Sequence, residues 1–185
     1  QLASEKPVVS ITATRTGAGK SPLTQHLARY LTDHGIKVAV IRHPMPYGNL
    51  EMQAVQRFAT TQDLVDHECT IEEREEYEPY VDMGIPIYAG VDYQGILDES
   101  SKEADIVLWD GGNNDFSFIR PDLDIVVVDS LRAGHEIDYF PGEVNFRRAD
   151  VLVIGKVNSA APGAVDGIRE RARELNPDAA ICTSD

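Results

Sequence analysis

Short apolar runs rich in valine and isoleucine alternate along this chain with segments whose apolar positions recur at helical spacing. Val8, Val9 and Ile11 form the first run, and Leu23, Leu27 and Leu31 follow on one helix face. Gly35 closes that helix, and residues 36–41 (IKVAVI) predict a second buried strand. Leu50 to Phe58 and Thr61 to His67 predict short helices. Thr70 and Glu73 form a T-x-x-E capping box at the start of an acidic helix that stops at Gly84. Residues 85–88 (IPIY) predict a short edge strand, because Pro86 cannot donate a ladder bond. A helix from Tyr93 to Glu103 and a strand over 104–110 (ADIVLWD) come next. The pattern then predicts strands at Leu123 to Val128 and Asp150 to Ile154, a helix from Gly163 to Leu175, and a last apolar piece at 179–182. Buried strands alternating with helices predict an α/β fold, a three-layer, doubly wound, mostly parallel sheet in one domain over residues 1–185. Ligands on such sheets gather beyond the carboxyl ends of the strands.

The first strand runs into Thr14-Arg15-Thr16-Gly17-Ala18-Gly19-Lys20-Ser21, and the first helix begins there. Strand, glycine loop, Lys-Ser and helix is the order of a phosphate-binding loop. Amides from Thr16, Gly17, Ala18, Gly19, Lys20 and Ser21 would curl round the phosphates of a nucleoside triphosphate. Lys20 would reach the β/γ oxygens, and the Ser21 hydroxyl would hold Mg2+. Thr14 stands where the full motif has its first glycine. Arg15, five before Lys20, occupies the place of the extra lysine in K-G-G-x-G-K-T loops. There a second cation neutralises charge developing during phosphoryl transfer.

Other strand ends carry chemistry of their own. Asp110 closes IVLWD, the position for an acid that holds Mg2+, and the Gly111-Gly112 pair after it would let backbone approach a γ-phosphate. Asp115 is a candidate for positioning the attacking group. Arg42 and His43 end the second strand, and Arg132 and His135 follow Asp129. These basic groups predict a second, anionic small-molecule substrate. The last buried strand enters Gly155-Lys156-Val157-Asn158, where GTP-binding proteins place N-K-x-D. Lys156 and Asn158 are therefore candidate nucleotide contacts. An amide at 158 cannot accept both guanine N–H groups, so ATP is the expected nucleotide, with GTP the alternative.

A net charge of −14 argues against a nucleic-acid partner or an anionic membrane surface. The acidic run Glu72, Glu73, Glu75 and Glu76 reads as a solvated face, with a second metal site as the other reading. Two distant cysteines, Cys69 and Cys182, suggest a reduced cytoplasm, and no apolar run is long enough to span a bilayer. A second copy of the chain is a candidate partner.

The strings RTGAGKS, RHPMPYGNLEMQAVQRFAT, HECTIEEREEYEPY, WDGGNNDFSFIRPDLDIVVVD and GHEIDYFPGEVNFRRADVLVIGKVN resemble the cyclic 2,3-diphosphoglycerate synthetase family over essentially the whole chain. The resemblance implies a P-loop NTPase of the deviant-Walker, dethiobiotin-synthetase-like type, forming the central part of a longer protein. It also implies an ATP- and Mg2+-dependent ligase that closes a phosphoanhydride within 2,3-diphosphoglycerate. On that reading Lys20 and Arg15 neutralise the transferring group, Ser21 and Asp110 hold the metal, and Arg42, His43, Arg132 and His135 bind the diphosphoglycerate. The competing expectation is a GTPase or ATPase switch acting on a protein partner.

Overall fold

The structure is a computed structural model that describes residues 1–45, 48–111 and 115–185. The second proline of the loop after Arg42 and the second glycine of the pair after Asp110 lie outside the described residues. In chain order the elements are β1 (Val8–Ala13), α1 (Lys20–Asp33), β2 (Val38–Arg42), β3 (Gln56–Phe58), α2 (Thr61–Asp66), α3 (Ile71–Asp82), β4 (Ile87–Ala89) and α4 (Tyr93–Glu103). They continue with β5 (Ile106–Asp110), β6 (Leu123–Asp129), α5 (His135–Asp138), α6 (Gly142–Arg148), β7 (Val151–Gly155), α7 (Ala164–Leu175) and β8 (Ala180–Thr183). The strands hydrogen-bond in the orders β3-β4-β2-β5 and β1-β6-β7-β8. Among the described residues no helix is long and apolar enough to cross a membrane.

The chain divides into two units. The first comprises Gln1–Val8, Thr24–Asp110 and Phe118–Arg120. In it β2 lies between β4 and β5 and is parallel to both, with Arg42 level with Asp110 at their carboxyl ends. Ile41, Tyr88, Ile96, Leu97 and Trp109 form its core. The second unit comprises Val9–Leu23, Gly111–Ser117 and Pro121–Asp185. Here β6 pairs with β1 and β7, and β7 with β8, all parallel. Its core is built by Val126, Val128, Phe146, Leu152, Ile154 and Ile168.

Two sequence expectations change. Residues 56–58 pair as β3, antiparallel to β4, where a helix was expected. Residues 85–88 were expected at an edge, but β4 has a neighbour on each side. Pro86 precedes β4, so its missing N–H falls outside the ladder. One change causes the other, since a three-residue strand owes its conformation to its partner and not to its own periodicity. The α3 boundary follows the sequence closely. Thr70 Oγ1 accepts from Glu73 N while Glu73 Oε2 accepts from Thr70 N, and Gly84 takes a left-handed turn at φ 70°.

Candidate functional site

In the second unit β1 ends at Ala13, and Thr14 N donates to Val127 O at 3.0 Å, continuing the strand by one residue. Thr14 is buried and its φ is not positive, so a β-branched residue is acceptable where the full motif has glycine. The left-handed turns fall at Gly17 (φ 78°) and Gly19 (φ 111°). Thr16 and Gly17 are exposed, while Ala18 and Lys20 are buried. Lys20 and Ser21 open α1, whose first turn has no acidic residue to offset the positive end of its dipole. A glycine turn leading into a helix start with no opposing acid is the kind of arrangement that suits an anion.

Groups from three later segments hold that loop. Lys156, itself left-handed at φ 60°, donates from Nζ to Gly17 O at 2.6 Å and faces Asp129 Oδ1 at 3.2 Å. Arg15 Nη1 lies 3.4 Å from Asp129 Oδ2, and Leu131 N donates to Asp129 Oδ1. Asp129 is buried at the end of β6, so it serves as the anchor for two cations of the loop region. Gly142, the first residue of α6, stands against Thr14: a Cβ there would meet Thr14 O at 2.3 Å. Sequence reading passed over Asp129 as an anchor and Gly142 altogether. The signals available were an acid ending a buried strand and a glycine opening a helix.

The remaining expected residues of this unit are spread over its surface. Asn158 donates from its backbone N and from Nδ2 to the Asp185 carboxylate, so its amide N–H is engaged within the chain. His135 opens α5 and meets the Tyr139 ring edge-on, and Arg132 is exposed in a 3-10 turn. Asp115 O accepts from Asn145 Nδ2 at 3.2 Å.

In the first unit Asp110 is fully buried at the end of β5. Its Oδ2 lies 2.7 Å from Arg42 Nη1 and accepts from the Tyr80 hydroxyl at 2.9 Å, while Oδ1 accepts from Thr24 Oγ1 at 3.4 Å. Arg42 Nη2 continues to Glu76 Oε2 at 2.6 Å. Burial opposes the Arg42 charge, but Asp110 and Glu76 outweigh it and hold the guanidinium pKa above its ordinary value. Burial first, and then the Asp110 charge, push the Tyr80 phenol far up, so it stays a donor at any physiological pH. Arg42 and Tyr80 thus hold the Asp110 carboxylate in place. The carboxylate at this strand end is a hard oxygen donor of the kind Mg2+ takes. His43 Nδ1 lies 3.2 Å from Pro44 O. Among the described residues no group of three His, Cys, Asp or Glu side chains has the arrangement to hold a metal ion, the acidic run of α3 included. That run serves as cap (Glu73) and as Arg42 partner (Glu76), with Glu72 and Glu75 exposed.

A mostly parallel sheet with a glycine loop between β1 and α1 is the fold of P-loop NTPases. Among solved structures, the hydrogenase maturation factor HypB of Archaeoglobus fulgidus superposes with a TM-score of 0.62 at 18% identity, over 96% of this chain and 80% of that one. No protein-family model matches the chain. Arginine synthetase ArcE of Thermococcus kodakarensis is 58% identical over 180 residues, which is 97% of this chain. The chain spans 40% of that relative's length. Cyclic 2,3-diphosphoglycerate synthetase of Pyrococcus furiosus is 26% identical over 98 residues, half of this chain and 23% of that protein. The expectation of a diphosphoglycerate cyclase is therefore corrected: the far stronger similarity is to a protein named for arginine. Ligase and nucleoside-triphosphatase chemistry, the broader expectation, agrees with both the synthetase relative and the fold.

Proposed function

We propose that this chain is the nucleotide-binding part of an arginine synthetase that uses ATP and Mg2+. The observation that carries the reading is the 58% identity to arginine synthetase ArcE across a region whose left-handed glycine loop leads into a helix start with no acid in its first turn. Making a guanidinium from a ureido group means replacing an oxygen that leaves poorly. Phosphorylation makes it a good leaving group. The ureido oxygen attacks the γ-phosphorus and ADP departs with the bridging oxygen. Ammonia then adds to the ureido carbon, and phosphate leaves carrying the former ureido oxygen. One ATP, one ureido amino acid and one ammonia give arginine, ADP and phosphate.

Each residue has a task in this scheme. Amides of residues 16–21 hold the triphosphate, and Lys20 neutralises charge on the transferring group. Arg15, released from Asp129, adds a second cation there. Ser21 and Asp110 would hold Mg2+, which supplies Lewis-acid polarisation of the phosphates. Arg42 and Tyr80 orient the Asp110 carboxylate. Lys156 holds the loop through the Gly17 carbonyl, and Asn158 is assigned to the base. Arg132 and His135 are assigned to the departing phosphate. The test is incubation of the intact protein with ATP, Mg2+, ammonium and citrulline, the ureido isostere of arginine. Arginine and ADP formed in equal amounts support the reading, and ATP cleavage without arginine contradicts it.

A further inference from the structure

In the second unit, residues 135–142 run from His135, at the start of α5, to Gly142, which has no room for a Cβ beside Thr14 O. The segment therefore joins a basic side chain to the backbone that leads into the glycine loop. Its aromatic side chains are open to solvent: Tyr139 is half-exposed and Phe140 is 79% exposed. Tyr139 meets the His135 ring edge-on, with centroids 5.0 Å apart. Phe140 meets Phe116, itself partly exposed, at 5.8 Å and 73°. Hydrogen bonds fix both stretches to α6. Asn145, buried in that helix, donates from Nδ2 to Asp115 O at 3.2 Å, next to Phe116. Glu143 N and Asn145 N donate to the Tyr139 and Pro141 carbonyls, on either side of Phe140. A single exposed aromatic is ordinary, but rings in mutual contact on one fixed segment form a patch, and such patches mark binding sites.

What the patch binds follows from what must come to the glycine loop. In the proposed reaction a ureido oxygen attacks the γ-phosphorus, so the ureido group has to lie beside that loop; the choice of occupant rests on that reading. A ureido group and the guanidinium it becomes are both planar. Planar groups stack on aromatic faces, and a guanidinium adds the attraction of a cation for the ring quadrupole. The rings carry no formal charge, so they do not repel the phosphate that must approach the same group. We propose that Phe140 and Phe116 form the platform on which the planar ureido or guanidinium end of the amino-acid substrate rests. The platform also keeps water away. Water adding to the phosphorylated ureido carbon in place of ammonia expels phosphate and returns citrulline, so ATP and water yield only ADP and phosphate. An apolar ring over one face of that carbon excludes this side reaction.

The test is steady-state kinetics of the intact protein with citrulline, ATP, Mg2+ and ammonium, comparing Phe140→Leu and Phe140→Tyr with the wild type. Loss of the ring in Phe140→Leu is expected to raise the KM for citrulline about threefold to tenfold, the scale of one aromatic stacking contact. The KM for ATP should hold. That variant should also form more ADP than arginine, because water reaches the carbon. Phe140→Tyr keeps the ring and should restore both the KM and the equal yields. An unchanged citrulline KM with equal yields in Phe140→Leu would overturn the platform and leave the proposed function standing. A change in sedimentation alongside that result would mark the patch as a surface for another protein instead. If the wild type makes no arginine, the proposed function falls, and calorimetric titration with L-arginine in the presence of ADP and Mg2+ decides the platform. Binding weakened in Phe140→Leu and kept in Phe140→Tyr upholds it. No binding, or equal binding in all three proteins, overturns it.

Discussion

The ammonium of Lys156 donates to the Gly17 carbonyl at 2.6 Å, and that bond sets which way the Gly17–Ala18 peptide faces. In a planar trans peptide the carbonyl and the next N–H point in opposite directions. Holding the Gly17 oxygen toward Lys156 therefore turns the Ala18 N–H away from it, free to face a phosphate in the proposed site. Lys156→Met should lower ATP affinity about tenfold, the scale of one lost charged hydrogen bond, in equilibrium titrations. Because the lysine is partly exposed, unfolding by urea should shift little. Lys156→Gly, which suits the left-handed backbone at this position, should bind ATP as poorly as the methionine variant.

Gly142→Ala should be far more disruptive than its size suggests. Its Cβ would stand 2.3 Å from the Thr14 carbonyl oxygen, a backbone atom that cannot swing aside. The loss should be about 1–3 kcal/mol of stability, as for other overpacked sites, with weaker ATP binding because the displaced backbone leads into the loop. Gly155→Ala is the control. Its Cβ would meet Ala18 O at 3.4 Å, an ordinary contact, and both effects should be small.

Arg42→Ala leaves Asp110 and Glu76 without their common partner. Removing one member of a buried pair costs about 3–5 kcal/mol, and chemical unfolding should read a loss of that order. Arg42→Ala combined with Asp110→Asn should recover part of it, since the uncompensated charge is gone. Tyr80→Phe should cost less, about 1–3 kcal/mol for the donor lost to a buried carboxylate. Equal losses in the single and the double variant would show that Asp110 is not the partner that matters.

Cys69 gives a pH dependence with a defined sign. Burial pushes its thiol from an ordinary 9.0 up to about 11. The unfolded chain therefore loses this proton first as pH rises. The group's contribution to stability is fully present below about pH 9 and is lost as pH rises toward 11. Stability measured across that window should fall less steeply in Cys69→Ala than in the wild type. At pH 8 iodoacetamide should modify exposed Cys182 well before Cys69.

What could be read from sequence was local, and what could not was the pairing of residues far apart. Thr70 with Glu73, Gly84 and Gly163 mark helix ends by short-range chemistry, and α3 and α7 fall where those signals put them. The apolar runs of β1, β2, β5, β6 and β7 are long enough to declare themselves. By contrast, β3 is three residues whose conformation depends on β4. Helices α5 and α6 are only 4 and 7 residues long, too short to show a period, and no expectation covered them. At the strand ends, composition marked Arg42 and Asp110 as functional but could not show them bound to each other and to Glu76. Gly17, Gly19 and Lys20 were legible because a fixed spacing carries the mechanism. Asp129 and Gly142 act on the loop from over a hundred residues away, and no spacing rule reaches that far.

The central claim is that ATP phosphorylates a ureido oxygen so that nitrogen can replace it. Citrulline labelled with oxygen-18 at the ureido position, supplied with ATP, Mg2+ and ammonium, tests it by mass spectrometry of the phosphate released. The account predicts one labelled oxygen in phosphate for each arginine formed, and neither product when Lys20 is replaced by alanine. Arginine accompanied by unlabelled phosphate, with the label in water, would contradict it.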